Sequence, residues 1–126
     1  MLQEEHKEFI KKAKEEYKKI GYVKCPAFDG EKVYFNKHGF NHFVRKSGVL
    51  RMIPEQIRRL NLLNTLTNII STSTDYQEYE KLYNKNPPAQ FWSFVRRGDN
   101  GFVKVVVRQI GNGNKHFFSV MDNNHG

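Results

Sequence analysis

Two tetrapeptides, Gly98-Asp99-Asn100-Gly101 and Gly111-Asn112-Gly113-Asn114, cut the C-terminal part of this chain into three runs rich in aromatic and β-branched residues. Glycine and asparagine tolerate the backbone of a tight hairpin turn, so the pattern dictates antiparallel strands. The spacing predicts strands over about 90–96, 102–110 and 115–121, a three-stranded meander. The second turn predicts Ile110 opposite Lys115, hence Arg108 opposite Phe117 and Val106 opposite Ser119. The first predicts Arg96 opposite Phe102. Side chains alternate across a strand, so one face carries Phe91, Val95, Val103, Val105, Val107, His116, Phe118 and Val120, expected to be core. The other carries Trp92, Phe94, Arg96, Lys104, Val106, Arg108, Lys115, Phe117 and Ser119. Cations, rings and a hydroxyl on one sheet face suit a nucleic acid.

Upstream, Leu2, His6, Phe9, Ile10, Ala13, Tyr17 and Ile20 recur at helical spacing, which predicts a helix over 3–20 stopped by Gly21. Residues 22–36 read as a hairpin turning at Asp29-Gly30, with Pro26 marking an irregular arm. Residues 37–48 hold a two-turn helix on which His42 and Arg45 are surface neighbours. Pro54 opens a second long helix over 54–70, buried through Ile57, Leu60, Leu63, Leu66 and Ile70. Residues 75–89 read as a loop with at most a helical turn. The expected fold class is therefore α+β: N-terminal helices packed on a small antiparallel β-sheet. The chain reads as a single domain over 1–126, with an N-terminal helix over 1–21 and a core over 22–121.

The 126 residues carry a formal net charge of +8, which calls for a polyanionic partner. Residues 1–32 are nearly balanced, whereas Lys37, Arg45, Lys46, Arg51, Arg58 and Arg59 face Glu55 alone, and Arg96, Arg97, Lys104, Arg108 and Lys115 face Asp99 alone. The single Cys25 rules out an internal disulfide and a multi-cysteine zinc site, and a reducing compartment, the cytoplasm, is the simplest expectation. No apolar run is long enough to span a membrane. His38 and His42 stand four apart with no Asp, Glu or Cys close in sequence to complete a metal set, and no phosphate-binding glycine loop is present. No cofactor is expected.

Metal-free cleavage of RNA needs a base for the ribose 2′-OH, cations for the developing phosphoryl charge and an acid for the 5′-oxygen. His42 suits the base, since surrounding cations would keep it neutral. Lys46 belongs to the same basic cluster. Arg58 is read in the first turn of its helix without a partner, where a phosphate would suit both it and the helix dipole. Ser119 is a candidate phosphate donor. Trp92 and Phe117 could stack on bases, and Lys104, Arg108 and Lys115 supply charge beside them.

Val33-Tyr34-Phe35-Asn36, Gly39-Phe40-Asn41-His42-Phe43-Val44-Arg45-Lys46, Arg51, Glu55-Gln56-Ile57-Arg58-Arg59-Leu60 and the closing Phe91-Trp92 and Phe117-Phe118-Ser119-Val120 together resemble the phage-type nucleases grouped with barnase, EndoU, the tRNA-cutting colicins and RelE. The resemblance covers about residues 22–121 and is most specific around His42. It implies an α+β nuclease fold and a metal-independent endoribonuclease, a toxin that cuts tRNA or mRNA to a 2′,3′-cyclic phosphate. An immunity protein or antitoxin would restrain it. It also implies catalytic roles for His42, for Arg45 or Arg51 on phosphate, and for Ser119. Two other readings fit the charge: a non-catalytic nucleic-acid-binding module, and a protein that binds an acidic partner.

Overall fold

The computed structural model describes residues 2–98 and 101–122. Helix α1 (Leu2–Ile20) forms on the expected stripe, with Glu4 and Glu5 in its first turn and Lys18 and Lys19 in its last, each favoured by the helix dipole. The side chain of Leu2, placed on that stripe from sequence, lies outside the described residues, as do Asp99 and Asn100 of the first meander turn. Gly21, at φ 66°, releases the chain into β1 (Tyr22–Cys25), a 3-10 turn (Pro26–Phe28) and β2 (Glu31–Tyr34). The connection is left-handed at Asp29 and Gly30, as the dipeptide requires. Asn36 caps α2 (Lys37–Val44) by accepting from the Gly39 amide at 3.2 Å.

Two short strands follow that the sequence reading missed, β3 (Arg45–Lys46) and β4 (Val49–Leu50), paired across Ser47-Gly48. The second long helix is two: α3 (Ile53–Leu60) and α4 (Leu63–Thr72). The break at Asn61-Leu62 is a tightened turn in which the Leu62 amide donates to the Arg59 carbonyl at 3.0 Å. It lets Leu60 and Leu63 both reach the core.

The region expected as a loop contains a strand, β5 (Glu78–Leu82), which pairs with β6 (Ala89–Gly98). Its sequence, EYEKL, lacks an apolar face, and its edge position makes that tolerable because charged edges resist further pairing. Strands β7 (Gly101–Ile110) and β8 (Lys115–Asp122) complete the meander. The sheet has six strands in the order β1-β2-β8-β7-β6-β5. It is mixed rather than purely antiparallel, because β2 lies parallel to β8. No local turn encodes that pairing; it joins segments about eighty residues apart.

Two register shifts correct the expected sorting of side chains. Gly98 pairs with Gly101, so Arg97 rather than Arg96 faces Phe102. One residue of slip reverses every side chain of β6. Trp92 and Phe94 therefore turn into the core, opposite Val107 and Val105. In β8 the expected pairing holds from Val106–Ser119 toward Asp122, but a bulge between Val106 and Val107 pairs Val107 with Phe117 and Arg108 with His116. Phe117 becomes a core residue, fully buried, while His116 and Phe118 leave the core side and Ser119 keeps its expected place on the open face. The core lies between this sheet face and the helices: Tyr17 of α1, Phe40 and Phe43 of α2, Leu60 of α3, and Leu63, Leu66, Ile69 and Ile70 of α4.

Candidate anion-binding site

Helix α2 is pressed onto β8 through Gly39. A β-carbon there would come within 2.5 Å of the Tyr17 hydroxyl and 2.6 Å of Phe117 Cδ2. That closeness brings His42 to the strand: its Nε2 lies 3.0 Å from the Val120 carbonyl oxygen. A carbonyl only accepts, so Nε2 carries the hydrogen and Nδ1 the lone pair. Arg59 Nη1 donates to the same carbonyl at 2.6 Å and lies 3.3 Å from Nε2. Glu55 holds Arg59 through Nε at 2.7 Å. Arg51 Nε donates to the His42 carbonyl at 2.9 Å, and Gln56 donates to the Arg51 carbonyl at 2.8 Å. Burial pushes the His42 pKa down to about 4; Arg51 and Arg59 push the same way and the Val120 bond opposes them. The ring is neutral at pH 7.

His42 lines an open cavity of about 820 Å³ together with Arg45, Lys46, Arg51, Arg59, Arg108 and Ser119. His38, Phe118 and Met121 complete part of its wall, and no carboxylate among the described residues belongs to it. Glu55 holds Arg59 from behind, and the other four cations, Arg45, Lys46, Arg51 and Arg108, have no carboxylate in salt-bridge contact among the described residues, which makes a site for a multiply charged anion. Among the described residues Arg45 donates only to the Gly48 carbonyl, at 3.2 Å within its own ribbon.

Of the residues singled out from sequence, His42, Arg45, Lys46, Arg51, Arg108 and Ser119 are thus brought together. Others are not. Trp92 and Phe117 are core side chains, buried for the register reasons given above, and present no face for a base. Lys115 lies on the helix side of the sheet, bonded to Glu31 at 2.9 Å and 5.0 Å from the rings of Phe28 and Trp92. Lys104 is on the open face but paired with Glu78 at 2.7 Å, beside a separate pocket. Arg58 has partners after all, Asp122 and Glu55. It also stands in the last turn of a shorter helix, where the dipole favours a cation. Arg59 stands four residues after Glu55 on α3, the spacing at which the two pair along a helix. That pairing holds, yet Arg59 also reaches Val120 beside His42, and only the fold of β8 onto α3 reveals it.

Comparison with protein-family models, with curated proteins and with solved structures returns no match. No helix among the described residues is long and apolar enough to cross a membrane.

Proposed function

We propose that this protein is an endoribonuclease whose site is the cavity around His42, in keeping with the resemblance to the barnase–EndoU–colicin–RelE group. The observation that carries the reading is the cavity's composition: Arg45, Lys46, Arg51, Arg108 and the Glu55-bound Arg59 around a neutral histidine, with no carboxylate among the described lining residues. A ribose-phosphate backbone offers that surface one negative charge per nucleotide. In the proposed reaction His42 Nδ1 accepts the 2′-OH proton, and the 2′-oxygen attacks phosphorus. The bond to the 5′-oxygen breaks, leaving a 2′,3′-cyclic phosphate, and the departing oxygen takes a proton from water in the open cavity. The cations stabilise the extra charge on the phosphoryl oxygens, Arg through its two-pronged donors. A bound phosphate would also raise the His42 pKa toward the range where a base is effective. The substrate on this reading is tRNA or mRNA and the compartment is reducing, in keeping with the free Cys25. A toxin role restrained by an antitoxin or immunity protein follows from the resemblance alone.

A second reading, a non-catalytic nucleic-acid-binding module, is favoured by one contact: the His42 Nε2–H is already committed to Val120. Incubation of the purified protein with total RNA in EDTA separates the two. Fragments ending in 2′,3′-cyclic phosphates are the expected result. RNA that is bound but left intact overturns the nuclease reading in favour of the binding module.

A further inference from the structure

Arg108 and His116 face each other across β7 and β8 on the open side of the sheet. Arg108 Nε donates to His116 Nε2 at 2.9 Å. That nitrogen must then hold the lone pair, which puts the ring hydrogen on Nδ1, 3.4 Å from the Asn114 carbonyl oxygen. The guanidinium also lies over the Phe118 ring, 4.6 Å from its centre. Arg108 is therefore held twice, and both holders are neutral.

Neutral holders distinguish Arg108 from its neighbours. Arg58, Arg59, Lys104 and Lys115 sit against Asp122, Glu55, Glu78 and Glu31. A carboxylate that orients a cation also cancels its charge; an imidazole orients it and leaves the charge whole. With Nε and the ring face engaged, Nη1 and Nη2 have no hydrogen-bond partner among the described residues and form a parallel donor pair matched to two oxygens of a phosphate. Arg108 lines the same cavity as Arg45, Arg51 and Ser119.

We propose that Arg108 is a preset fork for one phosphate diester and that His116 is the positioning residue that sets it, orienting the guanidinium without neutralising it. The proposal rests on reading the cavity as a polyanion site and names where one phosphate sits. His116 is buried, and the charged or titratable groups around it are Arg108 from β7, His38 from α2 and Tyr34 beside it on β2. Burial first, then Arg108, hold its pKa below the ordinary range, so it stays an acceptor at pH 7.

The probe is a fluorescent oligodeoxythymidylate, which has no 2′-OH and cannot be cleaved by this chemistry. Arg108→Lys, which keeps the charge but loses the fork, is expected to weaken binding about 10-fold, as loss of a charge-assisted bidentate contact does. His116→Leu is expected to weaken it comparably, and the double variant no further. His116→Gln, whose Oε1 can accept from Nε, is expected to stay within about 3-fold of the parent. Full affinity in Arg108→Lys, or glutamine no better than leucine, overturns the proposal. Should His116→Leu not fold, Arg108→Lys and His116→Gln still decide it. Binding lost in these variants while RNA stays uncut by the parent overturns only the nuclease reading. RNA cleavage with unaltered affinity in them overturns only this one.

Discussion

His42 of α2 and Arg59 of α3, seventeen residues apart in sequence, converge on one acceptor, the carbonyl of Val120. The guanidinium lies 3.3 Å from the imidazole Nε2, so the two cannot both be charged without cost. Arg59→Ala is therefore expected to raise the His42 pKa from about 4 toward its ordinary 6.5, since the substitution removes a cation and admits water. An NMR titration of the ring Cε1–H checks this. A value that stays near 4 would mean that burial by other groups alone sets it.

Removal of the proposed base is expected to cost about 10²–10⁴-fold in cleavage rate. His42→Ala should do so with the fold retained, because the ring is only half-buried and its one hydrogen bond contributes about 1 kcal/mol. Single-turnover cleavage alongside a thermal melt separates loss of chemistry from loss of structure. An unchanged rate in folded protein removes His42 from the reaction.

Acid is expected to destabilise the protein before carboxylates titrate. In the unfolded chain a histidine gains its proton near 6.5, whereas folded His42 gains it near 4. Between those values the unfolded state binds the extra proton, so stability falls as pH falls through that window. His116, also held low by burial, acts in the same sense. Allowing for partial solvent access, His42 contributes on the order of 1–3 kcal/mol. Denaturant melts at pH 7 and pH 4.5 should show a smaller difference for His42→Gln than for the parent.

Gly39→Ala tests the contact that seats α2 on β8. Its β-carbon would meet the Phe117 carbonyl oxygen at 2.8 Å as well as the Tyr17 hydroxyl, and a strand backbone cannot yield cheaply. A loss of about 1–3 kcal/mol is expected, with cleavage falling further than stability because His42 rides on the same helix. A melting temperature equal to the parent's would show that the helix has room to move.

Salt reports which cations meet phosphate. Each phosphate neutralised on a single strand contributes about −0.7 to the log–log slope of affinity against salt. Arg45→Ala with Arg51→Ala should flatten the slope by about 1 to 2. Lys11→Ala with Lys14→Ala should leave it unchanged, since Glu8 and Glu15 border Lys11 on α1. Equal flattening by both pairs would move the binding surface to α1 and away from His42.

Much of this fold was legible in the chain because its signals are local. Helical periodicity marked α1 and α2, Asp29-Gly30 marked the first hairpin, and the glycine–asparagine turns marked the meander. The basic cluster of His42, Arg45, Lys46 and Arg51 was legible too, since neighbours on one short helix and its following ribbon must lie together. Register was not, because it depends on a single residue of turn length and on a bulge whose benefit is packing. The bulge beside Phe117 lets that ring stack on Phe43 at 5.5 Å and turns Phe118 toward the cavity, beside Ser119. The strand character of the polar β5 depended on a partner, β6, that supplies half of every hydrogen bond. Nor could periodicity reveal that Arg58 meets Asp122, sixty-four residues away, or that Arg108 leans on His116 rather than facing Phe117. Sequence alone determined the locally marked elements, α1, α2, the first hairpin and the meander, and where the positive charge concentrates. Tertiary structure decided which cations a carboxylate cancels and which stay free for an anion, because that depends on distances set only when distant strands and helices pack.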